Sequence, residues 1–141
     1  MSRIALFILA LFASIFLTLA SPVPVQNREL VEVDKRLTRT GRGTWFQPGL
    51  GNCGKWNNSN DLILAISKNL YDKNKGSNCD QWVEIVNTKN GKKAYGKTRD
   101  SCPSCGDGDL DMSPALFKKL GSLDTGVLKI SWHFMNKSFK P

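Results

Sequence analysis

Short runs of alternating or mostly apolar residues, separated by Gly, Asn, Asp and Pro, make up most of the chain after residue 36. Five of these runs have the length and the β-branched or aromatic content of strands, at residues 43–46, 62–67, 82–88, 94–98 and 127–134. The pair Asn90-Gly91, between the third and fourth runs, predicts a tight hairpin turn. Many short strands punctuated by turn residues indicate a small barrel or sandwich.

Two short helices interrupt the predicted strands, one around residues 68–71 and one at residues 114–120. The second has Ser113 as a capping residue and Gly121 directly after its last turn. Asp111 lies just before this helix, where partial burial would raise its pKa toward the range of general acid and base chemistry. The alternative is that Asp111 only solvates a turn, which is the interpretation we favour for Asp107 and Asp109.

The beginning of the chain has the pattern of a targeting segment. Residues 1–20 combine Arg3, an apolar block and a small residue, Ala20, before the expected cleavage site, and they predict a secretory signal peptide. Residues 21–36 end in a dibasic pair and are expected to be a propeptide or a flexible linker. Residues 37–141 have the size of one small domain, which we expect to be extracellular.

All four cysteines fall within residues 37–141, at Cys53, Cys79, Cys102 and Cys105. An even number in a secreted chain indicates two disulfides, and the residues alone leave three connectivities open. A zinc site is the competing interpretation of the CxxC motif, but a second such motif is missing and His133 lies in an apolar, strand-like run. We therefore expect neither a metal nor a cofactor, and we expect His133 to point away from its two aromatic neighbours.

Residues 37–141 contain 16 Lys and Arg against 9 Asp and Glu, a net charge of +7. A secreted domain with this charge is expected to adhere to polyanions or acidic walls. Because no basic helix or nucleic-acid motif is present, nucleic acid is not an expected partner. No segment after the signal peptide is apolar enough to span a bilayer, so a membrane is not expected either.

Trp56 differs from the other aromatic residues because it lies in a polar loop rich in Gly and Asn. Either it is exposed and stacks on a sugar ring or enters the cleft of a protein partner, or it folds back over a disulfide of Cys53.

Four segments, in this order, resemble the secreted double-psi β-barrel superfamily of RlpA-like domains, barwin-like proteins and the first domain of expansins. They are GTWFQPGLGNCG, GSNCDQWVEI, DSCPSCGDGDLDMSPALF and GVLKISW, at residues 43–54, 76–85, 100–117 and 126–132. The resemblance implies a mainly β fold, a closed six-stranded double-psi β-barrel with one or two short helices and two disulfides. It also implies that Cys53 pairs with Cys79 and that Cys102 pairs with Cys105, next to Asp111.

The resemblance further implies a set of site residues. Expansin-like proteins require an aspartate ahead of a helix for wall activity, and Asp111 matches it, while Asp100 and Thr44 match a second aspartate and a threonine of the first strand. The sequence departs from that pattern at Cys102, which replaces an aromatic residue, and at Phe46, where relatives often have Tyr. The second domain of expansins has no match in this sequence.

Three functions follow as hypotheses. The leading one is a monomeric binder of cell-wall polysaccharide, of the cellulose, chitin or peptidoglycan type, that is not expected to hydrolyse it. Its surface would include Thr44, Phe46, Trp56, Asp100 and Asp111. The alternative is an effector or an inhibitor of papain-like cysteine proteases, in which the loops at residues 52–60 and 102–108 would bind a protein and Asp111 would be structural. The third is a wall-lytic enzyme in which Asp111 is the acid and Asp100 the base.

Overall fold

The computed structural model of the protein describes residues 37–141, so the predicted signal peptide (1–20) and propeptide (21–36) lie outside the described residues. The elements follow in the order β1 (Arg39–Trp45), β2 (Ile63–Ser67), α1 (Lys68–Lys73), β3 (Trp82–Asn87), β4 (Lys93–Cys102), β5 (Leu110–Met112), α2 (Pro114–Leu120), a 3₁₀ helix (Leu123–Thr125) and β6 (Leu128–Phe134).

The six strands close into a barrel in the spatial order β1-β5-β2-β4-β3-β6. The pairs β1 with β5 and β2 with β4 are parallel, whereas the other four pairs are antiparallel. A closed barrel leaves no free sheet edge, because each strand has a neighbour on both sides. The predicted six-stranded, mainly β barrel is confirmed, and it carries two short helices.

The core of the barrel follows from the alternation of inward and outward residues along the strands. Trp132 and Phe134 of β6 are both fully buried and meet edge to face at 5.2 Å between ring centroids. His133 lies between them on the half-exposed outer face, as predicted. Helix α2 packs Leu116 and Phe117, both fully buried, against the barrel wall formed by β4 and β1.

Two disulfides staple this small domain. Cys53 is bonded to Cys79, with Cα atoms 5.6 Å apart, and Cys102 to Cys105, with Cα atoms 5.4 Å apart. The pairing that the family resemblance implied is therefore confirmed. Within residues 37–141, no group of three or more His, Cys, Asp and Glu side chains is placed to hold a metal ion. In the same residues, no helix is long and apolar enough to cross a membrane.

Strand β5, Leu110–Met112, was not predicted from the sequence as a strand. It has only three residues, and its middle residue, Asp111, is polar and lies between two buried apolar residues. Its extended backbone is fixed by pairing with β1 on one side and β2 on the other. Asp111 consequently lies on a strand that is paired on both sides and leads directly into α2.

Candidate functional site

Three of the predicted site residues lie on one line across four neighbouring strands. Thr44 on β1 is opposite Asp111 on β5, Asp111 is opposite Ala65 on β2, and Ala65 is opposite Asp100 on β4. Neighbouring strands are about 4.8 Å apart, which places the backbones of Asp111 and Asp100 roughly 10 Å from each other. The barrel thus brings together residues that are far apart in the sequence.

Asp111 is the central residue of this line. Leu110 and Met112 on either side of it point into the core, so the Asp111 side chain points outward, where it is half-buried. The hydroxyl of Thr44 donates a hydrogen bond to Asp111 Oδ1 at 2.9 Å. Burial raises the pKa of Asp111 above its ordinary value of 3.8, the Thr44 hydrogen bond opposes that rise, and the charge of Asp100 adds to it.

Asp100 has a different environment, because one of its oxygens is engaged by the backbone. Asp100 Oδ1 accepts hydrogen bonds from the N–H groups of Asn52 and Ser101, each at 2.8 Å. The side-chain amide of Asn52 also donates to Ser101 Oγ at 3.0 Å. Asp100 therefore positions the loop at residues 49–57 against the end of β4, in addition to carrying a negative charge toward Asp111.

A small cavity of about 100 Å³ opens beside Asp111. The Cys102–Cys105 disulfide forms one of its walls, and the remaining lining comes from Arg42, Thr44, Ser104, Asp109 and Asp111. Ordinary ligand pockets measure about 300 to 1,000 Å³, so a ligand at this site would lie along the surface and would not be enclosed. Phe46 lines a neighbouring depression together with Asp100, and Trp56 lines neither of these two depressions.

Asp107 and Asp109 do more than solvate a turn. Asp107 accepts hydrogen bonds from the hydroxyl of Ser67 at 2.8 Å and from the amide of Asn69, and these bonds lower its pKa. Asp109 accepts a hydrogen bond from the backbone N–H of Arg42 at 2.8 Å. The two aspartates thus fix the loop at residues 103–109 to α1 and to β1, and this loop carries the disulfide beside Asp111.

Trp56 lies in a small hairpin at residues 49–57 and is 76% exposed. It forms an isolated antiparallel bridge with Leu50, which is 57% exposed, and the N–H of Gly51 donates to the carbonyl of Lys55 at 3.0 Å. Bridge partners carry their side chains on the same face, so the two apolar residues form one exposed patch. Trp56 does not fold back over the disulfide, which settles the alternative that the sequence left open.

Leu50 was missed by the sequence analysis, although a signal was present. Gly54, with φ of 79°, supplies the backbone conformation of the turn that brings Leu50 and Trp56 opposite each other. An apolar residue and a tryptophan on either side of a Gly-containing segment are the pattern of a short hairpin.

The hairpin is held firmly to the body of the protein. Cys53 is bonded to Cys79, and its backbone N–H donates to the carbonyl of Arg99 on β4 at 3.2 Å. The hydroxyl of Tyr71 on α1 donates to the carbonyl of Asn52 at 3.1 Å. Leu50 and Trp56 are therefore presented on a fixed support.

Comparisons with known proteins reveal two kinds of similarity. No family model matches the chain. A papain inhibitor from Streptomyces mobaraensis is 32% identical over 101 residues, which cover 68% of this chain and 71% of the relative. The solved structure of Streptomyces papain inhibitor superposes with a TM-score of 0.62 at 32% identity, covering 71% of this chain and 96% of that one.

The second similarity is to expansin from Clavibacter michiganensis, solved alone and, as a single-residue mutant, in complex with cellohexaose. Both structures superpose with a TM-score of 0.64, at 25% and 24% identity respectively. The match covers 74% of this chain and 54% of each expansin chain, so this chain spans about half the length of the expansin.

Proposed function

Because this chain belongs to the double-psi β-barrel family that includes the papain inhibitor of Streptomyces mobaraensis, we propose that it is a secreted inhibitor of papain-like cysteine proteases. The match extends over 96% of the solved inhibitor chain, so the inhibitor is matched almost as a whole protein. The two disulfides suit an extracellular protein, because such bonds persist in oxidising compartments. Protease inhibition was the alternative hypothesis from the sequence, and the similarity to the papain inhibitor supports it ahead of polysaccharide binding.

The observation that carries the proposal is the exposed pair of Leu50 and Trp56 on its braced hairpin. Tryptophan is enriched among the few residues that supply most of the affinity of a protein interface, where it fills an apolar pocket of the partner. A hairpin that is rigid before binding loses little conformational entropy when the complex forms. An inhibitor of this kind needs no catalytic group of its own, since it acts by occupying the cleft of the enzyme.

A titration of papain tests this proposal. Adding the purified protein to papain should abolish hydrolysis of a small chromogenic peptide in a saturable manner, and trypsin, a serine protease, serves as the control that should stay active. Intact mass measured after incubation should show an uncut inhibitor. Full papain activity at a large molar excess of the protein would contradict the proposal.

A second candidate function, binding of polysaccharide, is supported by the line of Thr44, Asp111 and Asp100. A half-buried carboxyl with a raised pKa, beside a hydroxyl and on an open surface, is suited to hydrogen bonds with sugar hydroxyl groups. Asp100 Oδ1 already accepts two backbone N–H groups, so Oδ2 is the oxygen through which Asp100 would accept a hydrogen bond from a sugar hydroxyl. Carbohydrate binding and protease inhibition would use different parts of the same end of the barrel.

Replacement of Asp111 by Asn tests the second candidate with two measurements. Binding of cellohexaose, measured by calorimetry, should weaken about ten-fold, because a charged acceptor for sugar hydroxyls is lost. The melting temperature at neutral pH should rise, because a carboxyl whose pKa is higher in the folded state destabilises the fold when it is ionised. This gain should disappear below about pH 3.8, the ordinary pKa, where Asp111 is protonated in both the folded and the unfolded state.

Asp124 on the 3₁₀ helix provides the matched control, since it is an exposed aspartate in another part of the chain. The variant Asp124→Asn should leave both cellohexaose binding and the melting temperature unchanged. Unaltered cellohexaose binding by Asp111→Asn would remove the argument for a sugar site at this residue.

A further inference from the structure

Four exposed lysines lie together at the end of the barrel where β3 turns into β4. Lys89 and Lys92 belong to that turn, and Lys118 and Lys119 belong to the last turn of α2. We refer to these four residues as the basic patch.

Two asparagine side chains hold the parts of the basic patch together. The amide groups of Asn87 and Asn90 each donate a hydrogen bond to the carbonyl of Leu120, at the end of α2, at 3.0 Å. The N–H of Gly91 donates to the carbonyl of Asn87 at 2.8 Å and closes the turn. The β3–β4 turn, with Lys89 and Lys92, is therefore fixed against the end of α2, with Lys118 and Lys119.

Within residues 37–141, no acidic side chain forms an ion pair with a lysine of the basic patch. The ion pairs there join Lys55 and Arg99 to Asp80, Lys68 to Asp72, and Lys93 to Glu84, and none of them includes a residue of the patch. Charges of the same sign repel one another within a Debye length, which is about 8 Å at physiological ionic strength.

The dipole of α2 favours positive charge at the C-terminus of the helix but is too weak to neutralise the basic patch. Lys118 and Lys119 lie near the C-terminus of the helix, where positive charge is favourable. Lys89 and Lys92 are close in sequence to the two asparagines bonded to Leu120 and so approach the same helix end, but a partial charge of about half an elementary charge cannot compensate four lysines. An external anion is the partner that would compensate all four charges at once.

We propose that the basic patch is a binding surface for an acidic polysaccharide, a linear polymer of uronic acid residues. A membrane surface is disfavoured, because Val127, which precedes the Leu128 that lies beside Gly121, adds only a single exposed apolar side chain near the patch, whereas Leu50 and Trp56 lie on the hairpin. Nucleic acid is disfavoured, because the patch offers neither an aromatic side chain for base stacking nor an arginine for bidentate contacts. A surface of lysines, whose ammonium groups act as point charges, suits a polymer that is recognised by its density of negative charge.

The basic patch is distant from the Trp56 hairpin. Strand β4 begins near the patch at Lys93, and its residues Arg99 and Asp100, roughly 20 Å further along the strand, bind the hairpin. A molecule held to an acidic polymer through the patch would keep Leu50 and Trp56 accessible.

Binding to polygalacturonate tests the proposal, with methyl-esterified polygalacturonate as the uncharged control polymer. Protein expressed from the full chain should bind the acid form at low ionic strength and should be released as NaCl is raised. The variant with glutamine at all four patch positions should bind about ten-fold more weakly. A variant with the same change of charge elsewhere, Lys73, Lys75, Lys137 and Lys140 to glutamine, should bind within about two-fold of the original protein.

The melting temperature of the patch variant separates binding from folding. It should stay close to that of the original protein, because the loss of mutual repulsion is offset by the loss of the favourable position of Lys118 and Lys119 at the end of α2. The proposal is overturned if both variants lose affinity equally, because net charge alone would then explain binding. It is also overturned by equal binding to the esterified polymer, or by tighter binding to anionic lipid vesicles or to single-stranded DNA.

Discussion

Replacing Trp56 with Ala is expected to weaken the inhibition of papain about a hundred-fold while leaving the fold unchanged. Truncation of a central interface residue of this type typically costs about 2 to 4 kcal/mol of binding free energy, and a hundred-fold change corresponds to about 2.7 kcal/mol. Because Trp56 is 76% exposed, its removal takes little packing from the folded protein. The measurement is the inhibition constant of each protein for papain, with thermal melting curves recorded beside it.

Val127 offers a matched control for this variant, because it is also an apolar residue and is 43% exposed, but it lies outside the hairpin. The variant Val127→Ala should inhibit papain as strongly as the original protein. Inhibition that survives the loss of Trp56, or that falls equally in both variants, would show that the hairpin is not the interface. Loss of cellohexaose binding alone in Trp56→Ala would assign this residue to the sugar surface.

Replacing Cys53 and Cys79 together with Ser is expected to lower the free energy of unfolding by about 3 kcal/mol. The bond joins residues that are 26 apart in the sequence, so its loss gives the unfolded chain considerably more freedom. It also frees the Trp56 hairpin from the segment after α1, which should weaken papain inhibition under conditions where the protein remains folded. Urea denaturation followed by tryptophan fluorescence measures the first effect, and inhibition assays at low temperature measure the second.

The other disulfide provides an internal comparison. Cys102 and Cys105 are only three residues apart, and their replacement by Ser should cost about 2 kcal/mol, because a short loop restricts the unfolded chain less. Papain inhibition should be affected less than in the first variant if the Trp56 hairpin is the interface. A larger effect of the Cys102 and Cys105 replacements on inhibition would point to the loop at residues 103–109 instead.

The parts of the fold that depend on local signals could be predicted from the sequence. Helix α2 begins where its capping residue predicted, and the Ser113 hydroxyl accepts a hydrogen bond from the N–H of Leu116 at 3.3 Å. Strands β3 and β6 show the alternation that reveals a half-buried strand. Strand β5 has no such signal, because three residues are too few to display a period and both of its partners come much earlier in the chain.

The residues of the candidate site could be predicted from the sequence, but their spatial arrangement could not. Thr44, Asp100 and Asp111 were identified through a family resemblance, but their alignment depends on the register of four strands, which no local pattern encodes. The role of Asp100 in holding the hairpin through Asn52 likewise depends on a contact between residues 48 positions apart. Leu50 became recognisable as a partner of Trp56 only once the hairpin was visible.

The Cys53–Cys79 bond encloses the segment that contains Trp56, β2 and α1. A protease that cuts one peptide bond between these two cysteines would leave both new chain ends covalently attached to the same molecule. After a cut beside Trp56, the new N-terminal end would lead into β2, which is hydrogen-bonded to strands on both sides, and the other end would stay attached through Cys53. An inhibitor nicked by its own target would thus remain in one piece in the cleft, and its working lifetime would be set by dissociation and not by the first cleavage.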